Sequence, residues 1–237
     1  MADRPYTILS CGVSIDGYLD AASPERLVLS NDDDLRRVDT VRADVDAILV
    51  GAATVRHDNP RLLVRDPWLR VARRARGRDE QPMKVTLTRG GRLDPYGRFF
   101  RHGDSEKLVY CAGPAVGRAR ERLGPVATVV DAGDPVEVRC VAEDLRRRGV
   151  RRLMVEGGGE IHTQFLVADL ADELHLVVAP FFVGDPRAHR FVGPGSFPWH
   201  PGNRARLAET RQMGDVVLLR YLFAHARDRV VVPERAP

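Results

Sequence analysis

Lysine is almost missing from this chain, occurring only at positions 84 and 107, so the formal charge of +4 is carried by arginine. Aromatic residues are few, at 6%, and the arginines are scattered. A nucleic-acid surface would cluster its basic residues and interleave them with stacking rings, so the balance points instead to an anionic small molecule. Cysteine stands alone at 11, 111 and 140, with no CxxC and no His/Cys cluster, so no metal site of familiar spacing is expected. Unpaired thiols in odd number suggest a reducing cytoplasm. No apolar run has the length of a membrane span or a signal peptide. Nor is there an internal repeat or a linker, and residues 1–237 read as a single domain with its core at about 5–224 and a tail from about 225.

What is present is concentrated at Leu153-Met154-Val155-Glu156-Gly157-Gly158-Gly159-Glu160-Ile161-His162-Thr163-Gln164-Phe165-Leu166. An apolar run ends in glycines, and Ile161, Phe165 and Leu166 then recur at helical spacing, which gives strand, tight turn and helix. A helix start with unpaired N–H groups, approached by residues without Cβ, suits a pyrophosphate. Close packing of strand on helix would call for the same glycines, and the stretch alone does not separate the two readings. A carboxylate at Glu156 would repel phosphate, so it should turn toward a polar ring with N–H donors.

Along the chain, Tyr6 to Val13 reads as a strand entering a turn at Asp16-Gly17, with Asp16 a turn former before it is a catalytic acid. Asn31 or Ser30 caps a helix over 32–43, and the aspartates at 32 to 34 suit its positive end. Asp46 to Gly51 is a buried strand, followed by a short helix start at 51–54 and a polar loop from Asp58 to Arg65. Residues 65–82, rich in arginine, read as a surface loop over which Trp68 could cover something. Strands follow at Val85 to Leu87, Lys107 to Ala112 and Val126 to Asp131, then a helix at 135–148. Glu173 to Val183 is a further strand. Arg206 to Met213 and Val216 to Phe223 form a hairpin across Gly214-Asp215. This alternation predicts an α/β fold with a mostly parallel central sheet, helices on both faces and a C-terminal antiparallel hairpin.

Several of these stretches together resemble a known family. Ser14-Ile15-Asp16-Gly17, Val45 to Gly51, Thr54-Val55, Asp58-Asn59-Pro60-Arg61-Leu62, Glu156 to Gly159, Leu170 to Leu174, Ala179-Pro180 and Val183-Gly184 are similar, in collinear order over roughly residues 5 to 224, to the reductase domain of riboflavin biosynthesis. The likeness is greatest to the stand-alone archaeal-type pyrimidine reductases, which share the dihydrofolate-reductase-like fold.

The resemblance implies a cytoplasmic homodimer that uses NADPH to reduce the ribosyl group of a ribosylaminopyrimidine 5′-phosphate to ribityl, with no nucleic-acid or membrane partner. The deaminase motifs of bifunctional relatives, His-x-Glu and Pro-Cys-x-x-Cys, are not in the chain, which implies a reductase alone. Carried over by position, cofactor contacts fall on Gly12, Thr54, Asp58, Gly158, Gly159, Glu160, Ile161, His162, Thr163 and Gln164. Arg89 matches an NADP contact of some members and would favour NADPH over NADH. Substrate contacts fall on Arg42, Leu62, Arg65 and Glu156.

Two departures stand out. Ser10 occupies the place of a lysine in bacterial bifunctional members, and the segment Ser23 to Leu29, where relatives place a polar substrate contact, carries Arg26, Leu27, Val28 and Leu29. Hydride transfer also needs a proton, for which Glu156 and Asp58 are the candidate carboxyls, with a bound water as the other source. A same-fold reductase of another heterocycle, such as dihydrofolate or a secondary-metabolite pyrimidine, is the first alternative. A non-catalytic dinucleotide-binding protein is the second, and the presence of both Arg42 and Arg65 counts against it. With no ligand cluster in the sequence, treatment with chelator should leave NADPH oxidation unchanged; a stoichiometric metal needed for turnover would contradict this.

Overall fold

A computed structural model describes residues 3–22 and 27–223. The expected tail and the Ser23 to Arg26 part of the departing segment lie outside the described residues. Strands β1 (Tyr6–Ser14), β2 (Ala47–Gly51), β3 (Met83–Thr88), β4 (Lys107–Cys111), β5 (Thr128–Asp131), β6 (Arg152–Val155), β7 (Glu173–Ala179), β8 (Arg206–Met213) and β9 (Val216–Leu222) build one sheet, in the order β5-β4-β3-β2-β6-β1-β7-β9-β8. Neighbours from β5 to β7 are parallel, and β9 runs antiparallel to both β7 and β8. The helices are α1 (Asp32–Asp44), α2 (Ala52–Asp58), α3 (Pro67–Ala75), α4 (Arg98–Arg101), α5 (Val116–Leu123), α6 (Val138–Arg147) and α7 (Gly159–Val167).

The unbroken apolar run of β2 is explained by burial on both faces. Ala47 and Leu49 pack with Val141 and Leu145 of α6 and Phe165 of α7, whereas Ile48 and Val50 pack with Val55 of α2 and Leu123 of α5. The period of two thus sorts alternate residues into separate cores. Strand β6, late in sequence, inserts between β1 and β2, with Val155 in register with Leu9 on one side and Leu49 on the other. Its C-terminal end is therefore flanked by two parallel strand ends, the position where open α/β sheets place ligands.

Helix α1 starts as its sequence dictates: Asn31 Oδ1 accepts from the Asp34 amide at 3.1 Å, with Asp32, Asp33 and Asp34 in the first turn. Its C-terminal end shows why residues 65–82 are not the surface loop that their charge suggested. Asp66 caps α3 by accepting from the Trp68 amide, and Pro67 sits where a helix needs no N–H. Arg73, 2% exposed, then points inward and donates to the carbonyls of Ala43 at 3.0 Å, Val45 at 2.6 Å and Asp79 at 2.8 Å. The Trp68 indole is 80% exposed. Helices α4 and α5 are also unread in the sequence; the rare lysines hold α4 and the loop after it, Lys84 donating to the carbonyls of Phe99 and His102 and Lys107 to those of Gly103 and Ser105.

Asp16 is a turn clamp. It accepts from the Ser14 hydroxyl at 2.6 Å and from the amides of Val183 and Gly184, tying the end of β1 to the chain beyond β7. Asp172 does similar work at the other end, accepting from the Thr7 amide at 2.8 Å and from Arg4. Replacing Arg73 by methionine would leave buried carbonyls at the end of α1 without donors. Urea denaturation should show a loss of about 3 kcal/mol, and a loss below about 0.5 kcal/mol would mean that α1 ends independently of α3.

Candidate functional site

A cavity of about 1150 Å³ runs along the C-terminal ends of β1, β2, β3 and β6. The glycine turn lies at its centre. The Glu156 amide donates to the Leu49 carbonyl at 2.9 Å and the Gly51 amide donates to that of Gly157 at 2.7 Å, so the turn is laced to the end of β2. Gly157 has φ of +120°, which demands glycine.

The next two glycines divide the two readings between them. A Cβ on Gly158 would meet only the Thr54 hydroxyl, at 3.4 Å, whereas a Cβ on Gly159 would lie 2.3 Å from the Arg190 carbonyl oxygen. Gly159 is thus required by packing, and Gly158 leaves a surface that another molecule can approach. Gly158 is also the N-cap of α7, and no side chain caps that helix. Its first N–H groups and positive dipole end therefore face the cavity through a surface lacking Cβ, an arrangement that fits a dinucleotide pyrophosphate.

Thr54, Asp58, Glu160, Ile161 and Gln164 line the same cavity, with Gly12 toward its β1 end and Arg89 at its β3 end. Arg89 is placed by a turn in which the Thr88 hydroxyl accepts from the Gly91 amide at 3.1 Å. His162 and Thr163 turn away. His162 is fully buried against Phe191, and burial pushes its imidazole down to about pKa 4. The Thr163 hydroxyl donates to the Gly159 carbonyl and accepts from the Gly193 amide, so it packs the following loop. Only their backbones remain near the helix start.

Arg42 and Glu156, expected to address different parts of a ligand, meet each other. Arg42 Nε donates to Oε1 and Nη2 to Oε2 of Glu156, both at 2.6 Å, and Nη1 donates to the Leu63 carbonyl at 3.1 Å. Burial disfavours the Arg42 charge, but the Glu156 carboxylate outweighs it and holds the guanidinium more strongly protonated than usual. Each carboxylate oxygen keeps a lone pair for a second donor.

Arg65 is set by its backbone. Its amide donates to both oxygens of Asp39, on α1, at 2.8 and 3.0 Å, while its exposed guanidinium makes no ion pair among the described residues. Leu62 does not line the cavity: with φ of +48° it drops its side chain into the core beside Val55 and Phe99. Asp58 is exposed at the end of α2, and Ser10 is buried at the cavity wall. Leu27 to Leu29 bring apolar side chains to the rim, where a Cβ on Gly12 would stand 3.0 Å from that of Leu29.

Two cavity residues were not legible as such. Asp34 and Arg37 pair at 2.7 Å on the inner face of α1, hidden in a run that helix-start chemistry already explains. No group of three or more His, Cys, Asp or Glu residues that could hold a metal occurs among the described residues.

The split between the glycines can be measured. Gly158→Val should keep the fold and weaken dinucleotide binding by roughly tenfold or more, about 1.4 kcal/mol. Gly159→Ala should destabilise the protein by about 1–3 kcal/mol through overpacking. Equal losses of Tm, with dinucleotide affinity intact in Gly158→Val, would show that both glycines serve packing alone.

Comparison with known proteins agrees with this geometry. At 36% identity over 182 residues, covering 76% of this chain and 83% of the relative, it is similar to the 2,5-diamino-6-ribosylamino-4(3H)-pyrimidinone 5′-phosphate reductase of Archaeoglobus fulgidus. The protein of the same description from Methanothermobacter thermautotrophicus is 30% identical over 220 residues, 92% of this chain and 98% of that one. In fold it is similar to a pyrimidine reductase-like protein from Corynebacterium diphtheriae, with a TM-score of 0.78 at 22% identity over 92% of this chain and 91% of the other. A deaminase/reductase from Thermotoga maritima gives 0.75 at 22% identity over 93% of this chain and 57% of its own. The model of the RibD C-terminal domain matches residues 5–219, and the chain belongs to that family of reductases.

Proposed function

We propose that the protein reduces 2,5-diamino-6-ribosylamino-4(3H)-pyrimidinone 5′-phosphate, opening its ribosyl group to ribityl, with NADPH as the reductant. The observation that carries this reading is one cavity that joins a helix start without a side-chain cap or a Cβ to the Arg42–Glu156 pair and to Arg65, which has no ion pair among the described residues. NADPH supplies the hydride when bound.

The chain's own residues do the rest. The start of α7 and Gly158 receive the pyrophosphate, and Arg89, exposed past β3, is placed to pair with the 2′-phosphate. Arg65, whose guanidinium makes no ion pair among the described residues, takes the substrate phosphate. Glu156, already held by Arg42, offers its remaining lone pairs to the amino groups of the ring. Of the two carboxyls considered for the proton, both Glu156 oxygens are engaged by Arg42, whereas Asp58 is exposed at the cavity with no ion-pair partner among the described residues. Asp58, directly or through water, is therefore the better proton carrier. The three free cysteines suit a reducing cytoplasm, and the outer strand β8 leaves a sheet edge available for a homodimer. The apolar rim at Leu27 to Leu29 favours testing a second heterocycle beside the first.

NADPH oxidation should be measured with the pyrimidinone phosphate, its dephosphorylated form and dihydrofolate. Turnover of the phosphate alone at high kcat/KM is expected, and a preference for dihydrofolate would replace this reading. Arg65→Ala should lower kcat/KM for the phosphorylated substrate by roughly ten- to a hundredfold, leaving the dephosphorylated form unaffected. Equal losses on both forms would remove Arg65 from the phosphate.

A further inference from the structure

We propose that Arg37 is a specificity-determining residue of the heterocycle subsite, donating to the ring carbonyl oxygen of the pyrimidinone, and that His175 positions it. The inference rests on the pyrimidinone reading above.

Arg37 is 9% exposed and lines the cavity from α1. Its Nε donates to Asp34 Oδ1 at 2.7 Å, and its Nη1 lies 3.0 Å from His175 Nδ1. A guanidinium can only donate, so Nδ1 must accept and the imidazole proton must sit on Nε2. That nitrogen is 2.8 Å from Glu173 Oε1, which takes the proton's hydrogen bond. Glu173 is itself fixed by Arg220 Nη1 at 2.7 Å and by the Tyr6 hydroxyl at 2.8 Å. Residues of β1, β7 and β9 thus converge to hold one arginine of α1 in one orientation.

These two contacts use two of the guanidinium's five N–H groups. Charge then decides what the remainder can meet. Arg37 is balanced by Asp34 and Arg42 by Glu156, so this part of the cavity carries no net charge and poorly suits a phosphate dianion. It suits a neutral ring that carries both amino groups and a carbonyl. Ser10, in register with His175 across β1 and β7, lines the cavity on the same side. Arg65 remains for the phosphate.

The alternative is that Arg37 merely ties α1 to β7, and a ratio of substrates tells the two apart. Wild type should prefer the 4-oxo substrate over its 4-amino analogue, in which a donor replaces the acceptor, by roughly a hundredfold or more. Arg37→Gln, which can donate or accept, should compress that ratio to within about tenfold and lower kcat/KM for the 4-oxo substrate by roughly ten- to a hundredfold. NADPH affinity, read by fluorescence titration, should not change. An unchanged ratio in a folded Arg37→Gln protein, or a loss of NADPH affinity in place of discrimination, overturns the inference while the proposed function stands. Failure of wild type to turn over the 4-oxo substrate overturns both. Should Arg37→Gln not fold, a pair at His175 decides: Asn, whose side-chain oxygen can accept from Arg37, should keep the preference, and Leu should lose it. Equal ratios in those two variants refute the positioning role.

Discussion

The two-fold contact of Arg42 with Glu156 joins the end of the first helix to the end of the sixth strand, 114 residues apart in sequence. Both side chains are 13% exposed, so the pair is mostly removed from water and must compensate for that by geometry. It does so with paired, charge-assisted bonds and a third donation to the Leu63 carbonyl. Breaking it would strand a partly buried charge on each side, and the two elements that define the cavity wall would lose their common reference. The insertion of β6 between β1 and β2 makes the meeting possible, because it brings Glu156 to the middle of the sheet, opposite the last turn of α1.

That last turn is itself held from behind. Arg73 satisfies carbonyls at the end of α1, and Asp39, three residues before Arg42, accepts the amides of Arg65 and Asp66. Helix α1 therefore orients a cavity-lining arginine on one side and the loop bearing Arg65 on another. A segment that composition alone marks as solvated arginines contains the residue that closes this helix, so the arginine excess is partly a structural material.

How far the site could be read from residues depended on whether a residue's role was local. The glycine turn, the cap at Asn31 and the buried run of β2 each rest on chemistry within a few positions, and the structure places them where those patterns lead. Asp16 is legible only in part: its hydroxyl partner is two residues away, whereas the amides it accepts from, Val183 and Gly184, lie 167 and 168 residues on. His162 and Thr163 followed the helix into the cofactor set, but a helix has a back: both side chains point away from the cavity, a distinction of about 100° per residue that motif matching does not carry. Leu62 could not be oriented from the sequence for a different reason: its positive φ turns the side chain into the core. The contact of Arg37 with His175 spans 138 residues and depends on the register of β7 against β1, which no local pattern encodes.

The distribution of charge along the cavity then follows from the distribution of burial. On the cavity lining the buried Arg37 and the mostly buried Arg42 each pair with a carboxylate, since a desolvated cation without partners would be costly. Where arginines reach solvent, at 65 and 89, water already stabilises the charge, and no ion pair forms among the described residues. Within the cavity lining, Arg37–Asp34 and Arg42–Glu156 are thus charge-balanced pairs, while Arg65 and Arg89 stand as exposed cations on a lining that also carries Asp58 and Glu160. A ligand that joins a neutral polar ring to anionic groups matches that lining. Arg65 and Arg89 are thus open to anionic groups because the fold leaves them exposed on the cavity lining.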